Sequence, residues 1–520
     1  MNRESLISQL QEENKVWDFV VIGGGATGVG VAVDAASRGY SVALFEKSDF
    51  AKATSSRSTK LVHGGVRYMQ QGDIALVMEA LHERGLLYRN APHLVKKQPF
   101  LIPCFRWWES VFYGIGLVFY DLLAGHLSMG RSMVHKTSTS IKMTPGLREK
   151  GLFAGVKYYD GQFDDSRLVV NLAQTAAEQG ACVLNYTEVT GLAKEGEKLS
   201  GIQVKDLETG TEYNLKAKAV INATGVFADD IMLMDEPESR PKVRPSQGVH
   251  LILDRSFLGG DCAVMIPKTD DGRVLFAVPW HDKVVVGTTD TLRDVPEVEP
   301  VALEQEIKFI LDTAGRYLTR APQRSDVLSV FAGLRPLAAP SAEGKKTKEI
   351  SRNHKLIVSS SQLITIIGGK LTTYRRMAKD TVNKAIKCGL VSEKKCVTAN
   401  LHLHGHKPNP DLADPYYVFG SDRAALMEFT NSQEEYTRQL NPKSDYKVGD
   451  IIWVVRNEMA RTVEDVLARR FRVLFLDARA AIEMAPEVAA IIAAERGLDK
   501  AWRDQQVASF TQIASNYILS

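Results

Sequence analysis

The sequence predicts an α/β protein, with a Rossmann-like dinucleotide-binding domain, an inserted mixed β-sheet substrate domain and a C-terminal helical domain. Three observations predict it. An apolar run from Phe19 to Ile22, a small-residue run from Ala26 to Ser37 closed by Gly39, and a second apolar run from Ser41 to Phe45 read as strand, helix and strand. That order starts a parallel sheet covered by helices. From Ala181 onward short strand-like runs dominate: CVLNYTEVTGL, a hairpin of LSGIQVKDLETG with TEYNLKAKAVINATG, then GVHLILD, AVMIP, VLFAVPW and KVVVGTTD. Beyond about residue 397 the period turns helical in DIIWVVRNEMA, TVEDVLARRFRVLF and DARAAIEMAPEVAAIIAAERG, with Thr462 and Asp465 forming a capping-box start. The divisions that follow are an N-terminal arm at 1–16, a cofactor- and substrate-binding region at 17–396, and a helical cap at 397–520. Within the middle region the cofactor parts are about 17–95, 160–240 and 335–396, and the substrate parts about 96–159 and 241–334.

Composition narrows the function classes. A chain of 520 residues with 44% hydrophobic and 24% charged residues suits a soluble globular protein of several units. The net charge of +3 comes without a basic stripe interleaved with aromatics, so no nucleic-acid partner is expected. Five cysteines, scattered and without CxxC spacing, make neither a disulfide framework nor a metal site. The N-terminal MNRESLISQLQEENKVW lacks the apolar core of an export signal. Residues 107–125, WWESVFYGIGLVFYDLLAG, are rich in aromatic and aliphatic side chains but carry Glu109, Asp121 and three glycines. Such a stretch makes a poor spanning helix and suits a membrane surface; the alternatives are a buried helix or an oligomer contact such as a homodimer.

The chemistry begins at Gly23-Gly24-Gly25-Ala26-Thr27-Gly28, a GxGxxG directly after a strand and opening a helix. Gly23 permits the tight turn, Gly25 lets a pyrophosphate approach the backbone, and Gly28 allows close packing of helix on strand. Glu46, at the end of the second strand, is placed to accept hydrogen bonds from ribose hydroxyls. Two later segments favour FAD over a nicotinamide cofactor. AVINATG ends a strand at Thr224 and Gly225, where backbone approaches an extended dinucleotide again. IGGKLTTYRR, with Gly369, Lys370, Leu371 and Thr372, presents the N-terminus of a helix beginning near Leu371 to charge developing on a reduced flavin.

Residues 55–70, SSRSTKLVHGGVRYMQ, are a charge anomaly: no acid stands between Asp49 and Asp73. The imbalance predicts anionic ligands. His63 and His250 are the proton-transfer candidates, because imidazole accepts a proton near neutral pH. A structural hydrogen bond is the plain alternative for each histidine.

IGGGATGVG, TSSRSTKLVHGGVRY, INATGVFAD, VLFAVPW, VGTTD, GLRPL and GGKLTTYR, in this order, closely resemble the FAD-dependent glycerol-3-phosphate dehydrogenases, and VRNEMARTVEDVLARR resembles that family's cap domain. The resemblance implies oxidation of sn-glycerol 3-phosphate to dihydroxyacetone phosphate, with electrons passing through FAD to a membrane quinone, in a cytoplasmic enzyme associated peripherally with the inner face of the cell membrane. It also implies that Arg67, Tyr68, Arg335, Arg352 and Lys370 surround the substrate. For the phosphate-bearing substrate that the resemblance implies, bidentate arginines are the best holders, and the candidates are Arg67, Arg335 in GLRPL and Arg352 in ISRNH, with Lys370 as a further cation and Tyr68 as a hydroxyl donor. Ser55, Ser56, Ser58, Thr59, Lys60 and Leu61 then contact the flavin, and Arg57 is a surface cation. On this reading two phosphate-bearing ligands explain the missing acids. The rivals are an amine or amino-acid oxidoreductase of the same architecture, an oxidase that hands electrons to oxygen, and a non-enzymatic flavin sensor.

Overall fold

The computed structural model describes residues 1–12, 14–70, 72–267, 269, 272–339, 353–442 and 444–519, with Arg67 and Gln70 described by backbone alone. The strand Val16–Ile22 lies between two parallel neighbours, Glu212–Asn222 and Val42–Phe45, and Cys182–Leu184 extends the parallel set beyond Val42–Phe45. On the other side Ile364–Gly368 joins in parallel and His354–Val358 closes the edge as an antiparallel partner. The expected hairpin is present: Lys198–Asp206 pairs antiparallel with Glu212–Asn222. Buried on both faces at their centres, the parallel strands carry apolar runs such as Phe19–Ile22, Val42–Phe45 and Ala219–Ile221, as helices above and below require.

A second, mixed sheet runs in the order Thr291–Leu292, Val243–Asp254, Lys283–Gly287, Leu275–Trp280, Ala263–Ile266, Val95–Cys104, Ala154–Phe163 and Leu61–Val62. Ser329–Ala338 adds to it along Val243–Asp254. The chain crosses between the sheets at the anomalous stretch, since the loop before Leu61 belongs with the first sheet's glycine turn and Leu61–Val62 pairs into the second.

Two helical regions frame these sheets. The helix Trp107–Ala124 lies on the surface of the second sheet, burying Leu117 and Tyr120 and exposing an outer face of Trp108, Val111, Phe112, Ile115, Val118 and Leu122. Trp107–Leu127 is long and apolar enough to cross a membrane by length and composition. The C-terminal helices Val448–Asn457, Ala478–Arg496 and Lys500–Ser515 pack as a cap.

The run TVEDVLARRFRVLF is not the single helix its periodicity predicts. The capping box forms as read, with the Asp465 N–H donating to the Thr462 hydroxyl and Thr462 N–H to the Asp465 carboxylate. The helix then widens into a π turn at Asp465–Arg470, breaks at Arg472 with φ 64°, and resumes as Val473–Leu476. The cause is electrostatic. Arg469, Arg470 and Arg472 are all buried, and each needs a carboxylate: Asp49 takes Arg469 and Arg470, and Asp165 takes Arg472.

Candidate functional site

The glycine turn has no room for side chains. A Cβ on Gly23, which sits at φ 109°, would meet the Ala223 carbonyl oxygen at 2.8 Å, and one on Gly28 would meet the Gly23 oxygen at 2.0 Å. Gly25 caps the helix Ala26–Ser37, and the Ala26 N–H donates to Ser55 Oγ at 2.9 Å, which ties the following loop to the helix terminus. Glu46 accepts from Gly24 N–H at 2.7 Å and Ser48 N–H at 2.8 Å, so it braces the turn with its own carboxylate. Burial raises its pKa. A carboxylate keeps further lone pairs beyond those two bonds, and Glu46 still lines the cavity beside the turn.

That cavity has a volume of about 470 Å³. Gly23, Gly25, Ala26 and Thr27 form one end, Ser55, Ser58, Thr59 and Leu61 one wall, and Thr224 with Gly225 another. Gly369, Lys370, Leu371 and Thr372 close it. The helix there begins one turn later than expected: Leu371–Thr373 is a 3₁₀ turn and the α-helix is Tyr374–Lys387. A glycine-walled cradle at a helix N-terminus fits the pyrophosphate of a dinucleotide, and the long cavity with its second backbone approach at Thr224 fits FAD.

A smaller cavity of about 150 Å³ adjoins it and shares Thr59, Leu61, His63, Tyr68 and Arg335 with the larger one. Arg335 is aimed by Gln247 O at 3.2 Å, Thr289 O at 3.0 Å and Thr288 Oγ1 at 3.1 Å, with Asp290 at 3.5 Å. Lys370 Nζ lies 3.9 Å from the Tyr68 ring centroid. His63, Tyr68, Arg335 and Lys370 therefore converge at one junction, while Arg352 and the Arg67 side chain lie outside the described residues.

The two histidines separate. His63 borders both cavities. His250 is buried, its Nε2 2.9 Å from Thr59 Oγ1 and its ring stacked on Phe331, and burial, then Lys60 and Arg335, drives its pKa well below the ordinary value. A neutral imidazole that orients Thr59 suits this position; an imidazolium between two cations does not.

Two expected cofactor contacts, Ser56 and Lys60, turn away from the cavity, and Gly28 takes the packing role its place in the motif predicts. Gly28 packs inside, under the glycine turn. Ser56 is buried, its carbonyl accepting from Lys60 Nζ at 2.6 Å and from Arg472 at 3.0 Å. Lys60 is buried against Asp165 at 2.8 Å, ringed by Trp280, Phe331 and Phe475, and its pKa is pulled down to about 7 by burial, with Arg472 adding to the effect. Arg57 is likewise no surface cation. It is buried, donates to Glu299 at 2.6 Å and to Val298 O at 2.6 Å, and also borders the cavity. A charged group that close to the protein interior has to be matched, and its carboxylate comes from 242 residues away. The sequence reading also missed Asp160 and Asp290, both on the smaller cavity. Asp290 stands inside the quoted VGTTD, so a signal for it was present; Asp160 has none.

Residues 18–375 match the model of the FAD dependent oxidoreductase family, and residues 364–503 match that of the C-terminal domain of alpha-glycerophosphate oxidase. A mitochondrial glycerol-3-phosphate dehydrogenase of Arabidopsis thaliana is 40% identical over 537 residues, covering 94% of this chain and 84% of the relative. The chain belongs to the FAD-dependent glycerol-3-phosphate dehydrogenase family. Its cofactor is FAD, and it is an enzyme of this family. The mitochondrial glycerol-3-phosphate dehydrogenase of Rattus norvegicus is 37% identical, with 98% of this chain and 75% of the relative covered. The crystal structure of glycerol-3-phosphate dehydrogenase from Bacillus halodurans complexed with FAD superimposes with a TM-score of 0.81 at 28% identity, covering 99% of this chain and 97% of that one. An L-alpha-glycerophosphate oxidase from Mycoplasma pneumoniae shares the fold, with a TM-score of 0.58 at 18% identity over 74% of this chain and 98% of the other.

Proposed function

We propose that the protein oxidises sn-glycerol 3-phosphate to dihydroxyacetone phosphate, with hydride passing from substrate C2 to FAD N5 and electrons leaving to a membrane quinone. The observation that carries the reading is the junction: a cofactor-sized cavity opens, through His63, Tyr68 and Arg335, on a small cation-bearing one. Bound FAD supplies the two-electron acceptor. The chain supplies the rest. Arg335 and Lys370 bind the phosphate, joined by Arg67 and Arg352 on the strength of the motif. Tyr68 orients the substrate, and His63, bordering both cavities, takes the hydroxyl proton. His250 stays neutral and holds the Thr59 hydroxyl at the junction.

The outer face of Trp107–Ala124 supports peripheral docking at a bilayer, because its inner face is pinned to the second sheet and the helix therefore lies on the membrane instead of crossing it. The named relatives are mitochondrial, so the cytoplasmic side is not carried forward; the bilayer surface is the location we assign.

Anaerobic addition of sn-glycerol 3-phosphate to the FAD-loaded protein is expected to bleach the flavin absorbance; intact absorbance sinks the substrate. The match of residues 364–503 to the alpha-glycerophosphate oxidase domain favours a second reading of the acceptor, oxygen. Reoxidation by a soluble quinone analogue much faster than by air supports the quinone, and the reverse order supports the oxidase.

A further inference from the structure

The exposed apolar helix is wired to the substrate junction by one hydroxyl. Tyr120 projects from its inner face and is fully buried. Its Oη accepts the Gly64 N–H at 2.9 Å and donates to Asp160 Oδ2 at 2.8 Å. Arg84 Nη1 donates to the other oxygen, Asp160 Oδ1, at 2.7 Å. Gly64 stands between His63 and Gly65, which both border the smaller cavity, and Asp160 borders it too. The approach is so close that a Cβ on Gly64 would fall 2.4 Å from Tyr120 Oη. Burial, and then the Asp160 charge, raise the phenol pKa far above its ordinary value, so the hydroxyl keeps its proton and its direction as a donor.

We propose that Tyr120 is a positioning residue: it fixes the His63–Gly65 backbone and restrains Asp160, so that the apolar helix sets the shape and charge of the substrate cavity. The inference rests on the reading of that cavity as a phosphate-ester site. A carboxylate on the wall of such a site repels the ligand unless its charge is answered and its direction fixed: the Arg84 guanidinium answers the charge, and the Tyr120 hydroxyl holds the second oxygen in place. Removing the phenol oxygen leaves a buried N–H and a buried carboxylate oxygen each short of a partner, at the two places where the wall meets the ligand.

Wild type and Tyr120→Phe are titrated side by side with sn-glycerol 3-phosphate under steady-state turnover. Tyr120→Phe is expected to raise KM about ten-fold, the share of its two lost buried hydrogen bonds that is felt at the ligand, while kcat changes less than about two-fold and the flavin spectrum and FAD retention stay as in wild type. Asp160→Asn, which keeps the shape and removes the charge, should move KM by a smaller factor and serves if Tyr120→Phe does not fold. Equal KM in wild type and both variants overturns the proposal, as does a joint fall of kcat, FAD retention and unfolding temperature with no KM split. A wild-type protein that does not respond to sn-glycerol 3-phosphate overturns the substrate reading itself, and this inference with it.

Discussion

Two groups of cations surround the cofactor cavity, and they differ in what answers them. Behind the loop 55–61, Arg57, Lys60 and Arg472 are buried, and each meets a carboxylate brought from a remote part of the chain, Glu299 or Asp165. At the junction, Arg335 and Lys370 border cavity space; Arg335 is aimed by carbonyls and a hydroxyl with Asp290 at 3.5 Å, and Lys370 lies over a tyrosine ring. The difference separates two physical jobs for cations near one cavity. The first group completes a buried ionic network that holds the loop; the second is the one we assign to the substrate phosphate. The absence of acids between Asp49 and Asp73 thus has a structural cause: the carboxylates that answer Arg57 and Lys60 come from elsewhere in the chain.

Breaking the first group should cost the most. Asp165→Ala leaves Lys60 and Arg472 buried without their shared carboxylate and is expected to lower stability by about 3–5 kcal/mol, read from urea unfolding, with FAD lost alongside. If stability holds, the two groups are not distinct. Arg335→Met tests the second group from the other side. It should lower kcat/KM about a hundred-fold, near 3 kcal/mol, while FAD remains bound through gel filtration. Comparable loss of FAD would erase the contrast.

A titratable cation sharpens the comparison further. His404 offers both ring nitrogens to carboxylates, Glu178 and Asp422, and these bonds raise its pKa to about 9 despite burial. Its folded value exceeds its unfolded one, so its stabilisation is complete below the ordinary histidine range and disappears as pH rises through about 9. Stability should fall by about 1–3 kcal/mol over that interval, and His404→Gln should abolish the fall. Lys60 runs in the opposite sense. Its folded value of about 7 lies below 10.5, so the cost of burying its charge is fully present below pH 7 and is relieved as pH rises toward 10.5. Denaturation midpoints from pH 6 to 10, compared between wild type and His404→Gln, separate the two slopes.

The smallest effect belongs outside both groups. Trp107→Ser with Trp108→Ser should weaken binding to phospholipid vesicles about ten-fold and leave FAD retention unchanged, because both indoles face outward. Unchanged flotation with vesicles removes this helix as the docking face.

What was legible in the sequence is what local chemistry decides. The glycine turn, the helix Ala26–Ser37 and the hairpin before Asn222 follow from steric demands and periodicities that a few neighbouring residues satisfy. The convergence of His63, Tyr68, Arg335 and Lys370 came from motif order, which periodicity alone does not supply. Long-range pairing was not legible. Nothing near Arg57 announces Glu299, nothing near Lys60 announces Asp165, and the break at Arg472 exists because three arginines in four positions must each find an acid elsewhere. Tyr120 was hidden for the same reason: its spacing reads as an apolar helix face, and only the fold brings Gly64 to it.

The bond from Arg472 to the Ser56 carbonyl spans 416 residues. During synthesis the glycine turn and its loop emerge early, but the guanidinium that steadies the loop emerges only after nearly the whole chain has been made. Cofactor loading is therefore expected to be a late event in the life of the polypeptide. A ribosome-stalled chain truncated before Arg472 should capture little flavin even with every cofactor-lining residue already translated.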